Sequence, residues 1–301
     1  MSLLRIFLGA LAVLACAEAS RPEPKAEAAP GNKAFYIFGY GSLLHEGSRI
    51  RTNCDITLPE FEVQTIIGNS FLKFNGEDAN AMAKRVAACD NADIRPVRVT
   101  GIRRAWNAPG VRAKALQGGS FSTSAFSRKP TFLGATVAGN EFIATGVVYK
   151  VTEEQYNKQV KREQMAGYDV KNLDTSKISF LDGKPAPSNA QIIFFASNPS
   201  TLAIATPEFP IVQSYVDIWL AGALQLQRKF KLEGEEYRKL TGHYSFVNDT
   251  ASNTYDWSEF WINDRVYPFR PFIAVPDAAS IDDALLNNVK PYILQAISFP
   301  K

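Results

Sequence analysis

The junction Phe142–Gln155 constrains this chain most. Ile143, Val147, Val148, Tyr149 and Val151 favour a strand. Directly after them, Thr152-Glu153-Glu154-Gln155 spells a capping box, with Thr152 as N-cap and Gln155 at the third helical position. A strand therefore passes into a helix that should run from Glu153 to about Met165. Further strands are expected at Ala34 to Phe38, Val97 to Ala105, Gly118 to Phe126, Thr131 to Val137, Ile178 to Leu181 and Gln191 to Ala196. Ile56 to Ile67 reads as strand or loop. Glu77 to Cys89 has helical rhythm, and Ile211 to about Phe230 reads as an amphipathic helix carrying Tyr215, Ile218, Trp219 and Leu226. Short strands mixed with a few helices predict an α+β fold: a small mixed, barrel-like sheet with flanking helices.

The first residues stand apart. A basic start at Arg5, an apolar run from Ile6 to Ala17, and small residues at Ala15, Ala17 and Ala19 form a signal-peptide pattern for 1–19. The run is too short for a bilayer span, which needs about 20 residues. Ser20 to Lys33, with Pro22, Pro24, Pro30 and Gly31, reads as a linker, leaving one domain over 34–301. The expected location is the secretory pathway or another extracytoplasmic compartment. Cys54 and Cys89 could there form one disulfide.

Composition excludes several functions. Lys plus Arg total 33 against 30 Asp plus Glu, a net charge of +3, with no basic cluster for nucleic acid. Two histidines, His45 and His243, cannot make a three-His zinc site, and the three cysteines show no CxxC spacing. No metal or cofactor is implied. His45 reads as an exposed loop residue, and His243 shows no partner pattern.

Two passages carry chemistry. Phe35 to Phe38 runs into Gly39-Tyr40-Gly41-Ser42-Leu43. A dinucleotide fingerprint would need Gly at Leu44. A nucleophile elbow around Ser42 would need Gly at Tyr40 and Leu44. What remains is a glycine-flanked turn, either a plain strand exit or a nest of N–H groups suited to a carboxylate or oxyanion. On the helix, Tyr156, Val160 and Glu163 share one face, while Lys161 and Arg162 should point elsewhere. A carboxylate on a core-facing side loses hydration, the usual setting for a general base at neutral pH. The competing reading is a helix-end Glu paired with Lys or Arg in solvent.

Read together, these passages resemble the γ-glutamylcyclotransferase-like superfamily. The motifs are Phe38-Gly39-Tyr40-Gly41-Ser42-Leu43, Ser48-Arg49-Ile50-Arg51-Thr52, Gly101-Ile102-Arg103-Arg104-Ala105-Trp106, Gly146 to Tyr149, and Arg162-Glu163 with Gly167-Tyr168. Ser214 to Asp217 and Trp261 to Arg265 resemble a C-terminal helical extension of one branch. The resemblance implies a barrel-like fold, Glu163 as catalytic acid and base, and substrate binding at Tyr40, Gly41, Ser42 and Leu43. It implies cyclisation of a γ-glutamyl compound to 5-oxoproline with release of an amine. The partner would be that small molecule. The alternative is a non-catalytic binding or interaction protein that keeps the fold.

Other residues have candidate roles. Arg103 or Arg104 could hold an α-carboxylate, but alternation lets at most one point inward. Ser42 could donate its hydroxyl, and Tyr168 could line a pocket. Phe195 stands where some glutathione-acting members carry Tyr. Trp257, Trp261 and Arg265 should cover the core. The region near 73–95 reads as a helical insertion.

Overall fold

The computed structural model describes residues 33–54, 86, 89, 93–109, 130–265, 269 and 277–290. The expected signal peptide 1–19, the expected linker 20–33 apart from Lys33, the Ile56–Ile67 and Gly118–Phe126 segments, and most of the expected insertion near 73–95 lie outside them. From Lys33 onward the chain is one compact unit.

The strands are β1 Ala34–Gly39, β2 Ile94–Thr100, β3 Ile102–Pro109, β4 Thr131–Val137, β5 Ile143–Val151, β6 Tyr168–Asn172, β7 Ile178–Phe180, β8 Ala190–Ser197, β9 Ile211–Val212 and β10 Trp261–Ile262. The helices are α1 Glu46–Asn53, α2 Glu153–Met165, α3 Gln213–Phe230, α4 Gly234–Thr241, α5 Phe246–Ser252 and α6 Ala278–Asn288.

The fold is α+β, with a mixed six-stranded sheet in the order β6-β8-β1-β5-β2-β7. β5 lies antiparallel to β1 (Ile37 opposite Tyr149) and to β2 (Val97 opposite Gly146). β1 runs parallel to β8 (Ile37 opposite Ile193). The expected barrel does not close, because β6 and β7 are open edges and β3 pairs separately with β4. The run read as one strand, Val97 to Ala105, is two strands in two sheets. Gly101, at φ +82°, turns the chain between them, a conformation that glycine reaches without steric cost.

The capping box at α2 forms in full. Thr152 Oγ1 accepts from the Gln155 amide (3.2 Å), and Gln155 Oε1 accepts from the Thr152 amide (2.9 Å). Ile211 and Val212 do not begin α3; they form β9, which pairs in parallel with β10. This pairing joins the two C-terminal motifs. Asp264 accepts from the Ser214 amide and hydroxyl (2.7 and 2.6 Å), and Arg265 grips Asp217 through two nitrogens at 2.8 Å.

The core is aromatic where α3 meets the β3–β4 pair. Trp106 contacts Trp219, Trp257 and Tyr215 at ring distances of 5.5–5.8 Å, and Trp257 stacks on Trp261 at 5.3 Å. Burying rings on this scale gives the small domain much of its apolar stabilisation. Cys54 and Cys89 are joined in a disulfide with Cα atoms 5.6 Å apart.

Candidate active site

The Tyr40–Leu43 segment leaves the end of β1 and enters a single 3-10 turn, Ser42–Leu44. The first amide bonded within that turn is Leu44's, to the Gly41 carbonyl at 3.0 Å. The amides of Gly41, Ser42 and Leu43 precede it, where a helical turn has no internal acceptor to offer.

The carbonyl side of the segment is held by buried arginines. Arg104, fully buried, donates to the Tyr40 carbonyl (3.4 Å) and to the Thr145 carbonyl (2.6 Å). Its remaining bonds go to Thr145 Oγ1, Thr254 Oγ1 and the Thr250 carbonyl. All these acceptors are neutral, and burial pulls the guanidinium down to about 9. Arg49, 2% exposed, donates to the carbonyls of Leu43 and Leu44 at 3.2 and 3.1 Å. Tyr40 adds a third anchor, its hydroxyl donating to the Phe195 carbonyl at 2.6 Å. Guanidinium groups behind a segment and N–H groups in front of it raise the potential where an anion would sit.

α3 fixes the segment from another side. A Cβ on Gly222 would collide with the backbone of Leu44 and His45, so helix and turn touch main chain to main chain. His45, expected in solvent, is 1% exposed beneath this contact.

The opposite wall belongs to α2. Tyr156 and Val160 pack against the core, and Glu163 follows on the same side with its side chain 14% exposed. The helix is docked through a polar stripe. Gln155 donates to the Cys89 carbonyl (3.2 Å), and Gln159 bridges Asn53 (2.5 Å) and the Tyr149 hydroxyl (3.0 Å). Burial pushes the Tyr149 hydroxyl well above the ordinary tyrosine range, so it stays a neutral donor.

These walls enclose a cleft of about 120 Å³, lined by Tyr40, Gly41, Ser42, Leu43, Phe132, Leu133, Arg162, Glu163, Ala166, Tyr168, Phe195 and Tyr215. The expected catalytic and substrate-binding residues line this cleft: Glu163 together with Tyr40, Gly41, Ser42 and Leu43. Tyr168 and Phe195 join them. Arg103 and Arg104 do not: Arg103 pairs with Asp256 at 2.6 Å, and Arg104 lies in the core behind the segment.

The residue missed from sequence is Arg162. It does not point away from Glu163. Its Nε donates to Glu163 Oε1 at 3.1 Å, its Nη2 makes an ion-pair contact with the same oxygen at 2.8 Å, and its Nη1 donates to Thr52 Oγ1 at 3.1 Å. Helical spacing places Cα–Cβ vectors, not the end of a long flexible side chain. The only hint was Thr52, at the end of the Ser48–Thr52 motif. Phe132 and Tyr215 were also missed; both come from elements remote in sequence.

The geometry can bind an anion or a polarised carbonyl oxygen at the turn and can transfer a proton at Glu163. Among the described residues no group of His, Cys, Asp and Glu is arranged to hold a metal, and no helix is long and apolar enough to cross a membrane.

No protein-family model matches the chain, and no curated protein matches it. Among solved structures it is similar to a γ-glutamyl cyclotransferase, at 16% identity over 72% of this chain and 97% of that one, with a TM-score of 0.36. An uncharacterized protein from Homo sapiens matches with the same values. A γ-glutamyl cyclotransferase specific to glutathione from yeast matches at 10% identity over 74% and 96%, with a TM-score of 0.32.

Proposed function

We propose that this protein is a γ-glutamyl cyclotransferase-type enzyme that releases 5-oxoproline from a γ-glutamyl peptide or amine. One observation carries the reading: Glu163 and the Gly41–Leu43 turn line the same cleft. The substrate brings its own nucleophile, so the protein needs no catalytic Ser, Cys or His. The α-amine nitrogen bonds to the γ-carbonyl carbon, and the bond from that carbon to the leaving nitrogen breaks. The two protons lost by the attacking nitrogen are gained by the leaving one, so the reaction is neutral in protons and electrons.

Glu163 acts as base toward the amine and then as acid toward the leaving group. The turn amides stabilise the tetrahedral oxyanion. Phe132, Leu133, Phe195 and Tyr215 give the cleft an apolar wall that strengthens both interactions. The cleft is smaller than the roughly 300 Å³ or more of a drug-sized site. It suits the glutamyl head, with the leaving group extending toward its mouth. The signal-like 1–19 segment and the Cys54–Cys89 disulfide support action in an oxidising, extracytoplasmic compartment.

The test is a panel of γ-glutamyl peptides and amines, with 5-oxoproline detected by mass spectrometry. The expected result is product with the wild type and none with Glu163→Gln at unchanged melting temperature. Near-wild-type turnover in that variant would remove Glu163 from the mechanism. No product from any compound would leave the binding-protein alternative.

A further inference from the structure

We propose that Arg162 is the carboxylate anchor of this cleft and restricts its substrates to compounds carrying a carboxylate beside the reacting groups, an inference that rests on the cyclotransferase reading. The candidates read from sequence are committed elsewhere: Arg103 to Asp256, and Arg104 to oxygens of the core. Arg49 holds the carbonyls behind the turn. Among the described residues lining the cleft, Arg162 alone is cationic.

Its guanidinium is oriented but not used up. Thr52 Oγ1 receives one bond from Nη1 without neutralising the charge. Glu163 receives one bond from Nε, and Nη2 meets the same Oε1 as an ion-pair contact. A guanidinium has five N–H donors. At least one N–H therefore remains on each terminal nitrogen, and a planar fork with such donors matches a carboxylate. Glu163 keeps Oε2 clear of both Arg162 contacts, open to an amine proton. At 42% side-chain exposure, Arg162 is reachable from solvent.

The Arg162–Glu163 pair complements an α-amino acid, whose ammonium and carboxylate sit on one carbon. On binding, the internal ion pair is exchanged for two contacts with the substrate. Two sources supply the carboxylate: the α-carboxylate of the glutamyl head, or the carboxylate of a leaving amino acid.

Three compounds separate these sources. γ-Glutamylalanine has both carboxylates. γ-Glutamylethylamine lacks the one on the leaving group. 4-Aminobutyrylalanine lacks the α-carboxylate and would cyclise to 2-pyrrolidinone. Kinetics are compared for wild type, Arg162→Gln and Arg162→Lys. The wild type should lose about ten- to a hundredfold in kcat/KM on one truncated compound, the scale of a charge-assisted bond. Arg162→Gln should be slower on γ-glutamylalanine and should no longer discriminate against that truncation; Arg162→Lys should recover part of the discrimination. The compound penalised identifies the source.

Equal wild-type kcat/KM on all three compounds would overturn the proposal. So would a penalty that persists unchanged in Arg162→Gln, which would mean that Arg162 acts only through Glu163. If the variant turns over nothing, calorimetric binding of the same compounds to Glu163→Gln and to the double variant closes the same comparison. Identical affinities in those two proteins would overturn it. Failure of the wild type to release product from any compound would refute the cyclotransferase reading instead, and the calorimetric comparison would still decide the anchor.

Discussion

Gly222→Ala tests how the site is held. Gly222 sits inside α3, where Ala is favoured over Gly by about 1 kcal/mol. By propensity alone the substitution stabilises. The added Cβ, however, would overlap the backbone of Leu44 and His45, and main chain cannot rotate away as a side chain can. Overpacking of this kind costs about 1–3 kcal/mol. The net loss should be between roughly 0 and 2 kcal/mol, or at most a few degrees of melting temperature in a domain this size. Activity should suffer more. The backbone that must move directly continues the Gly41–Leu43 turn, and a misplacement of about 1 Å costs on the order of a hundredfold in rate. The assay pairs thermal melting with 5-oxoproline release. A folded variant with wild-type kcat/KM would refute the claim that this glycine positions the turn.

Other outcomes follow from the same geometry. Gly41→Ala places a Cβ about 3.1 Å from the Tyr215 hydroxyl inside the cleft, so KM should rise at little cost in stability, measured by steady-state kinetics and melting. Arg104→Met removes the guanidinium donor from the buried Thr145 carbonyl, while the Thr250 carbonyl keeps its bond from Thr254 Oγ1, and should cost about 1–3 kcal/mol in denaturant unfolding, the scale of one orphaned group; Arg104→Lys should not restore it, because an ammonium cannot span the same acceptors. Cys54→Ser should cost about 2–4 kcal/mol, since the disulfide closes a 35-residue separation. Asp264 has its carboxyl raised above 3.8 by burial, partly opposed by its bonds from Ser214. Its contribution to stability is therefore complete below 3.8 and lost as pH rises through the folded value; against Asp264→Asn, the wild type should lose relative stability over that rise, and a pH-independent difference would contradict it.

Legibility followed the range of the interaction that decides each feature. The α2 boundaries were readable because Thr152 and Gln155 cap each other within four residues. β5 was readable because Ile143, Thr145, Val147, Val148, Tyr149 and Val151 dominate it with β-formers. The division at Gly101 was not, because strand-forming residues stand on both sides of it and the positive φ reveals the turn. The boundary at Ile211 was hidden for a different reason. Those two residues are apolar in either reading, and what makes them a strand is Trp261–Ile262, some fifty residues later.

The same division explains the site. The turn and Glu163 carry local signatures, a glycine-flanked strand exit and a helical face, and so could be named in advance. What makes them a site is carried by residues whose own neighbourhoods say nothing of it. Arg104 reads as one of two basic residues in an alternating strand, yet it is the one facing inward, behind Tyr40. Thr52 reads only as the last residue of the Ser48–Thr52 motif, yet its hydroxyl accepts from Arg162 beside Glu163. Gly222 drew no notice in the sequence, yet it lets its helix meet the turn. Arg104 and Gly222 each exchange a local cost, a buried charge or a glycine in a helix, for a long-range placement. Positions where local preference is overruled are therefore where the geometry of the cleft is being set.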